Sequence, residues 1–493
     1  MWRTRGWSGR ATDRVRVPAP VIRWRIASGR GATEQPNAIS DGPAALTPLF
    51  WVMVVLTGVG AGLFGVVMML LLFTVEHLAY GYHTGSFEAG IERAPASRRV
   101  VALALAGVVG GVGWYLLRRY TKGRKSDADE AVWCGDGTLS FRRSIGTSVL
   151  SEIVVGLGAS LGREAAPKLM GAVSGSLLGR YTGLSPDQRR LLVACGAGAG
   201  LAAVYNVPLG GALFTAEVLC AGITLPVVLP ALACSWIATL TAWIYLPAQA
   251  TYSGTPAYPL TSAELIWAVL AGPMIGLISV GFIRLIGWVS HRRPTGWPAL
   301  IAPLVAFLIL AAIGLQYPQL FGNGKGIAQD AFLGQLGLLL LLALFLLKPL
   351  VTALCLGSGA AGGLFTPTLS TGALLGGLLG TVWSLVWPGS PAGAYALIGA
   401  TAMLGAAMQA PLAALALVIE LTDSGFQLVL PMMAATLIAT TVARYIDGYS
   451  IYSARLPRLT RSLGPDGDFS GPERPENSSL HPDCGRKPRA REH

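Results

Sequence analysis

The sequence predicts an all-α membrane protein built from two homologous halves whose helices are interrupted in matching places. Three observations carry that reading. Of 493 residues, 53% are hydrophobic and only 13% are charged, which excludes a disordered chain and fits a polytopic membrane protein better than a soluble enzyme. Leu49 to Val75, Val218 to Pro247 and Pro349 to Ile419 contain no Asp, Glu, Lys or Arg, whereas one bilayer crossing takes about 20 apolar residues. Finally, Gly399 to Glu420 repeats the pattern of Gly196 to Glu217: a Gly, a Leu five later, Pro-Leu at twelve, and a Glu nine beyond the proline. The pairs Pro167-x-Leu169 and Pro367-x-Leu369 recur in the same way at an offset of 200. Paired broken helices in homologous halves are a transporter pattern in which the interruptions mark the binding site.

Taken in order, residues 1–45 form an arm carrying eight arginines, and a polar tail over 464–493 adds more. A crowding of basic residues, eight arginines in 1–45 and eight Arg or Lys after Tyr452, marks the two ends of this chain of net charge +12. It reads as attraction to a membrane surface rather than to nucleic acid, with both termini cytoplasmic by the positive-inside rule. No secretory leader is expected, because the first apolar run begins near Leu46 and is too long for one. The membrane domain spans 46–463, with halves of about 46–246 and 263–445, and no regulatory domain is expected beyond it.

Helices are expected over about Leu46–Tyr80 and Arg99–Tyr120, followed by a polar stretch, Thr121–Gly137. There Ser126 or Asp127 can cap a short helix with Asp129 and Glu130 in its first turn. A further helix starts near Ser140. Small-residue helices fill Leu191–Cys220, split at Asn206, Val207 and Pro208, and apolar spans cover Ile223–Leu246, Ala263–Trp288 and Leu300–Leu320. The loop Phe321–Ile327 has too little context to read as a phosphate-binding loop. Tyr449–Arg455 starts a last amphipathic helix, on which Tyr452 could point its hydroxyl inward.

The candidate site lies where charge enters an apolar run. In Gly156–Arg180 the charges Arg163, Glu164 and Lys168 stand among Gly, Ala, Ser, Leu, Val and Met, and an unpaired charge at the bilayer centre costs roughly 3 kcal/mol or more. Glycines precede Glu164 and a small-residue helix follows it, so a helix N-terminus falls at the glutamate. Free N–H groups and the helix dipole make such an end an anion site, for which a carboxylate and a dissolved anion compete. The bland alternative is a static pair, since Lys168 sits at i+4 from Glu164. Gly357–Pro367 is a second glycine-rich break in a charge-free run. Its amides around Gly363, Leu364 and Phe365 lack a nearby side-chain anion, and a bound anion would satisfy them. Glu217 and Glu420 end matching helices, which favours a shared structural role such as hydrogen bonding to backbone.

Other chemistry finds little support. Five histidines and six cysteines form no metal-ligand spacing, no Ser-His-Asp order is readable, and nothing calls for a cofactor. A membrane-embedded enzyme would need a water-accessible acid/base pair that the sequence does not show. A non-conducting scaffold would predict that Glu164→Ala changes no flux.

These motifs resemble the CLC family of chloride channels and chloride/proton exchangers over about Leu46–Leu463. Gly162-Arg163-Glu164 resembles the family's G-[KR]-E-G-P, Tyr205-Asn206-Val207-Pro208-Leu209 its N-x-P-L break, and Gly357-Ser358-Gly359 through Pro367 its G-S-G-x-x-G-G-x-F-x-P motif. Tyr452 resembles its pore tyrosine. The resemblance implies two inverted-topology repeats with helix N-termini around a central anion site. It also implies a homodimer with one pore per subunit, Glu164 as the gating glutamate, and Phe365 contributing its amide and Tyr452 its hydroxyl. A bacterial inner membrane is the implied location.

Three departures matter. The family's G-S-G-I-P aligns with Gly123–Asp127, so Arg124 stands in place of the anion-coordinating serine and Lys125 follows it. Such cations could strengthen anion binding or favour an oxyanion. Exchangers carry two consecutive glutamates where this chain reads Glu217-Val218, and the second is the internal proton relay. Valine carries no proton, which favours passive conduction and leaves Glu217 as the candidate relay. After Glu164 the proline is displaced and Lys168 is added, and a Glu164–Lys168 pair would hold the carboxylate ionised. The expectation is transport of a monovalent anion, chloride first, through a channel. The alternative is an anion/proton antiporter, including one for fluoride or an oxyanion.

Overall fold

The computed structural model describes residues 46–121, 127–133, 135–423 and 426–456. The arginine arm, Arg124, Lys125 and the tail lie outside them. The first half runs α1 (Pro48–Tyr80), α2 (Phe87–Arg93), α3 (Ala96–Tyr120), α4 (Ala128–Trp133), α5 (Phe141–Gly156), α6 (Ala165–Tyr181), α7 (Pro186–Tyr205), α8 (Pro208–Phe214) and α9 (Leu225–Ala242). The second runs α10 (Ser262–His291), α11 (Pro298–Gln316), α12 (Lys325–Phe332), α13 (Leu338–Gly357), α14 (Phe365–Trp383), α15 (Ala392–Met408), α16 (Pro411–Thr422) and α17 (Val429–Ile446). Seven helical segments among the described residues are long and apolar enough to cross a membrane. Tyr449–Arg455 does not begin as an α-helix: within the described residues the chain around Tyr452 makes a 3₁₀ turn, Ser453–Arg455, and the continuation of the expected amphipathic helix lies outside them.

Packing repeats with the sequence. α6 packs on α7 as α14 packs on α15, and α1 on α9 as α10 on α17. Glycine makes the first of these contacts close in both halves. A methyl on Gly171 would lie 2.0 Å from the Gly196 carbonyl oxygen, and one on Gly399 would lie 2.5 Å from the Gly376 Cα. Such contacts explain why α7 from Leu191 and α15 from Gly393 are buried on every side, with the free thiols Cys195, Cys220, Cys234 and Cys355 among the buried side chains.

The matching breaks have one cause. Asn206 and Gln409 each take the left-handed conformation at φ 59°, and Pro208 and Pro411 then start new helices. Proline suits a first helical position, where its missing N–H would go unbonded anyway. The remaining first-turn amides need acceptors, and the opposite half supplies them. The Glu420 carboxylate accepts from Leu209 N (3.0 Å) and Gly210 N (2.6 Å). The Glu217 carboxylate accepts from Leu412 N (3.3 Å) and Ala413 N (2.6 Å). Each half thus caps the broken helix of the other. Removing one such cap, as in Glu217→Ala or Glu420→Ala, is expected to cost about 1–2 kcal/mol. Thermal unfolding in detergent should show similar drops for both variants, and a loss in only one would contradict the reciprocal arrangement.

A carboxylate seat where two helix starts meet

The two glycine-rich breaks come together at the start of α6 and α14. Gly162 N donates to the Gly363 carbonyl at 2.8 Å, and Gly363 N donates back to the Gly162 carbonyl at 2.8 Å. This antiparallel pair joins the halves and brings the N-termini of α6 and α14 to one point. Glu164 stands at the N-cap position of α6, is 4% exposed, and turns its side chain across to α14. Phe365 N donates to its Oε1 at 2.7 Å, and Tyr205 Oη donates to its Oε2 at 3.2 Å. Thr366 Oγ1 reaches the same Oε2 at 3.4 Å and lies 2.7 Å from Tyr205 Oη. The carboxyl group thus sits on a backbone amide and hydroxyls at a helix N-terminus, an arrangement that favours negative charge there.

Several expectations change here. Of the amides of the second break, Phe365 N does meet a side-chain carboxylate, that of Glu164 in the first half, and Gly363 N is committed to the Gly162 carbonyl. Lys168 does not pair with Glu164: its ammonium donates to Asp129 Oδ1 and Oδ2 at 2.9 and 3.0 Å. Asp129 comes within reach because Asp127 caps α4, its Oδ1 accepting from Asp129 N and Glu130 N. The reason for the difference is geometric: the Glu164 side chain points to α14, while Lys168, one turn on, faces α4.

The remaining expected residues fall into two groups. Arg163 lies against the seat, its guanidinium 5.2 Å from the Tyr205 ring centre. Tyr452 is buried, with its ring edge-on to Phe214 and the Lys168 ammonium 4.5 Å from its centre. Ile451 N donates to the Ala407 carbonyl, which ties this turn to the end of α15. Asn206 and Pro208 shape the break below Tyr205, and the Asn206 side chain accepts from Trp243 Nε1 at 2.9 Å. Gly357 ends α13, the Ser358 hydroxyl caps the Cys355 carbonyl, and Gly359, at φ 96°, offers its carbonyl to Arg118. Those three close a helix rather than touch Glu164. Glu217 spends both its oxygens on α16, as described above.

Four polar residues near the seat escaped the sequence reading. Tyr205 and Thr366 donate to Glu164, and the only sequence hints were their places beside the two breaks. Lys348, in the apolar α13, is fully buried and donates to Ser160 Oγ at 2.8 Å and the Gly322 carbonyl at 3.0 Å. Glu152, in α5, is fully buried with neither carboxylate oxygen hydrogen-bonded among the described residues, and Arg163, Glu164 and Glu76 lie within electrostatic range.

Known proteins match this chain in sequence and fold. The family model described as voltage gated chloride channel matches residues 107–444. A ClcB-like chloride channel protein of Ralstonia nicotianae is 36% identical over 67% of this chain and 79% of its own length. The H(+)/Cl(-) exchange transporter ClcA of Vibrio campbellii is 29% identical over 74% of this chain and 80% of its own. Among solved structures, a slow cyanobacterial Cl-/H+ antiporter aligns at a TM-score of 0.72 and 23% identity, covering 83% of this chain and 97% of that one. A CLC-type fluoride/proton antiporter aligns at 0.66 and 21%, covering 82% and 97%. With Glu164 seated between its two broken helices, the chain belongs to the CLC family of voltage gated chloride channels and transporters.

Proposed function

We propose that this CLC protein moves chloride or a related monovalent anion passively, with Glu164 as the gate. The observation that carries the reading is the carboxylate on Phe365 N. A negatively charged side chain already occupies an amide seat at two helix N-termini, so a dissolved anion reaches that seat when the side chain leaves it. Passive conduction is favoured over antiport because Val218 carries no proton and Glu217 is committed to the first turn of α16. Arg124 and Lys125, which lie outside the described residues, remain candidate anion-binding residues by the sequence alignment, and the protein works as a homodimer in a bacterial inner membrane with cytoplasmic termini.

Antiport has one specific observation behind it. Glu152 is a buried carboxyl with no hydrogen-bond partner among the described residues, within electrostatic range of Glu164. Such a group can hold a proton, and related proteins include exchangers. The deciding experiment is anion efflux from proteoliposomes, with internal pH recorded, for chloride, fluoride and nitrate. Flux without proton movement is expected. Uphill proton pumping driven by an anion gradient would replace the channel reading with antiport, and its loss in Glu152→Gln would identify the second carrier. No flux with any of the three anions would sink the transport reading for those ions.

A further inference from the structure

One helical turn beyond Glu164 stands a charge pair that the gate itself does not use. Lys168 is held to the gate residue through its backbone, its N–H donating to the Glu164 carbonyl at 3.1 Å. Its ammonium grips both oxygens of Asp129, and the two side chains are only 12% and 8% exposed. The same ammonium lies over the Tyr452 ring and 5.6 Å from the Phe214 ring centre. Among the described residues, Asp127 and Arg455 are the other charged groups that act on Asp129.

Stability alone is a poor reason for such a pair. Taking two charges out of water is costly for each ion, and well-packed apolar residues of similar volume often replace a buried pair without loss. Phe214, Tyr452 and their neighbours supply apolar surroundings that would suit such a replacement. What the pair adds is an ammonium beside the candidate anion path, kept neutralised by a carboxylate from a different helix. Glu164 on Phe365 N has the same logic: a resident carboxylate holds a place that suits an anion.

We propose that Lys168 is a second anion-pairing side chain and that Asp129 is its resident competitor. A permeating halide takes the ammonium as the Asp129 carboxylate releases it, so the pair sets anion affinity one turn away from the gate. This rests on the transport reading above and goes beyond it in assigning a specificity-determining pair that joins α4 to α6.

The test is chloride binding by calorimetry on the purified full-length protein, with chloride efflux measured in parallel. Asp129→Asn removes the competitor at nearly constant shape and is expected to tighten chloride binding about tenfold, the effect of one charge-assisted hydrogen bond. Lys168→Met is expected to weaken it by a similar factor and to abolish the effect of Asp129→Asn in the double variant. An unchanged chloride Kd in Lys168→Met overturns the proposal even if Asp129→Asn does not fold. So does a parallel loss of thermal stability and flux in both single variants at constant Kd, which is the behaviour of a purely structural pair. Wild-type protein that neither binds nor conducts chloride would overturn the transport reading, and this proposal with it.

Discussion

Glu164→Ala is expected to raise apparent chloride affinity at least about tenfold and to make efflux insensitive to pH. The wild-type carboxylate accepts from Phe365 N at 2.7 Å and Tyr205 Oη at 3.2 Å. A hydrogen bond to a charged group contributes about 1.5–3 kcal/mol, and about 1.4 kcal/mol corresponds to tenfold in binding. A permeating anion that enters the seat must match what the carboxylate gives up. Deleting the carboxylate leaves Phe365 N and the Tyr205 hydroxyl to the anion alone. The sign of the pH effect follows from charge. In the wild type, protonation neutralises the competitor and weakens its hold on the amide, so efflux should rise as pH falls. In Glu164→Ala that rise should vanish while flux stays high. Calorimetric chloride titration and efflux measured across neutral to acidic pH read both effects. Unchanged affinity together with a preserved pH profile would show that the carboxylate does not contest the anion's seat.

What the sequence made legible was local. Glycine-rich stretches ending at Glu164 and before Phe365 announce broken helices, and the Asn206-Val207-Pro208 and Gln409-Ala410-Pro411 steps announce two more. The expected spans Leu46–Tyr80, Arg99–Tyr120, Ile223–Leu246, Ala263–Trp288 and Leu300–Leu320 fall within a few residues of α1, α3, α9, α10 and α11. Across the halves, the sequence is silent. Glu164 meets Phe365 at a separation of 201 residues and Glu217 meets Ala413 at 196. No spacing rule reaches so far, and an internal repeat says which segments are alike without saying that they exchange caps. Lys168 shows the same limit at shorter range. The i+4 rule offers Glu164 as its partner, but that rule assumes two side chains on one helical surface. Glu164 is the N-cap and turns its side chain out to α14, so Asp129 of α4, 39 residues away, becomes the partner. Lys348 stayed hidden for another reason: a single charge in an apolar helix reads the same whether it faces a cavity or a neighbouring hydroxyl.

The seat also makes a prediction that separates the gate from the ground on which it stands. A methyl added at Gly363 would lie 1.8 Å from Glu164 Oε1 and 2.2 Å from its Cδ, far inside van der Waals contact. Gly363 is not among the glycines of positive φ, so alanine there meets no backbone strain, and the bonds it exchanges with Gly162 involve main chain only. The Glu164 carboxylate, at the end of a flexible side chain, must therefore move. Folding should survive, with thermal stability changed little. Eviction of the gate alone would make Gly363→Ala behave like Glu164→Ala, with higher affinity and flat pH dependence. The methyl, however, fills the volume that the carboxylate vacates, which is the volume a dissolved anion needs in order to reach Phe365 N. Chloride efflux is accordingly expected to fall at least about tenfold, a loss of about 1.4 kcal/mol or more at the seat, and Glu164→Ala added to it should not restore the flux. Gly162→Ala should act in the same direction from the facing strand, its methyl 2.2 Å from both carboxylate oxygens. Efflux that instead rises in Gly363→Ala would place the anion's contact farther along the first turn of α14, beyond the reach of that methyl.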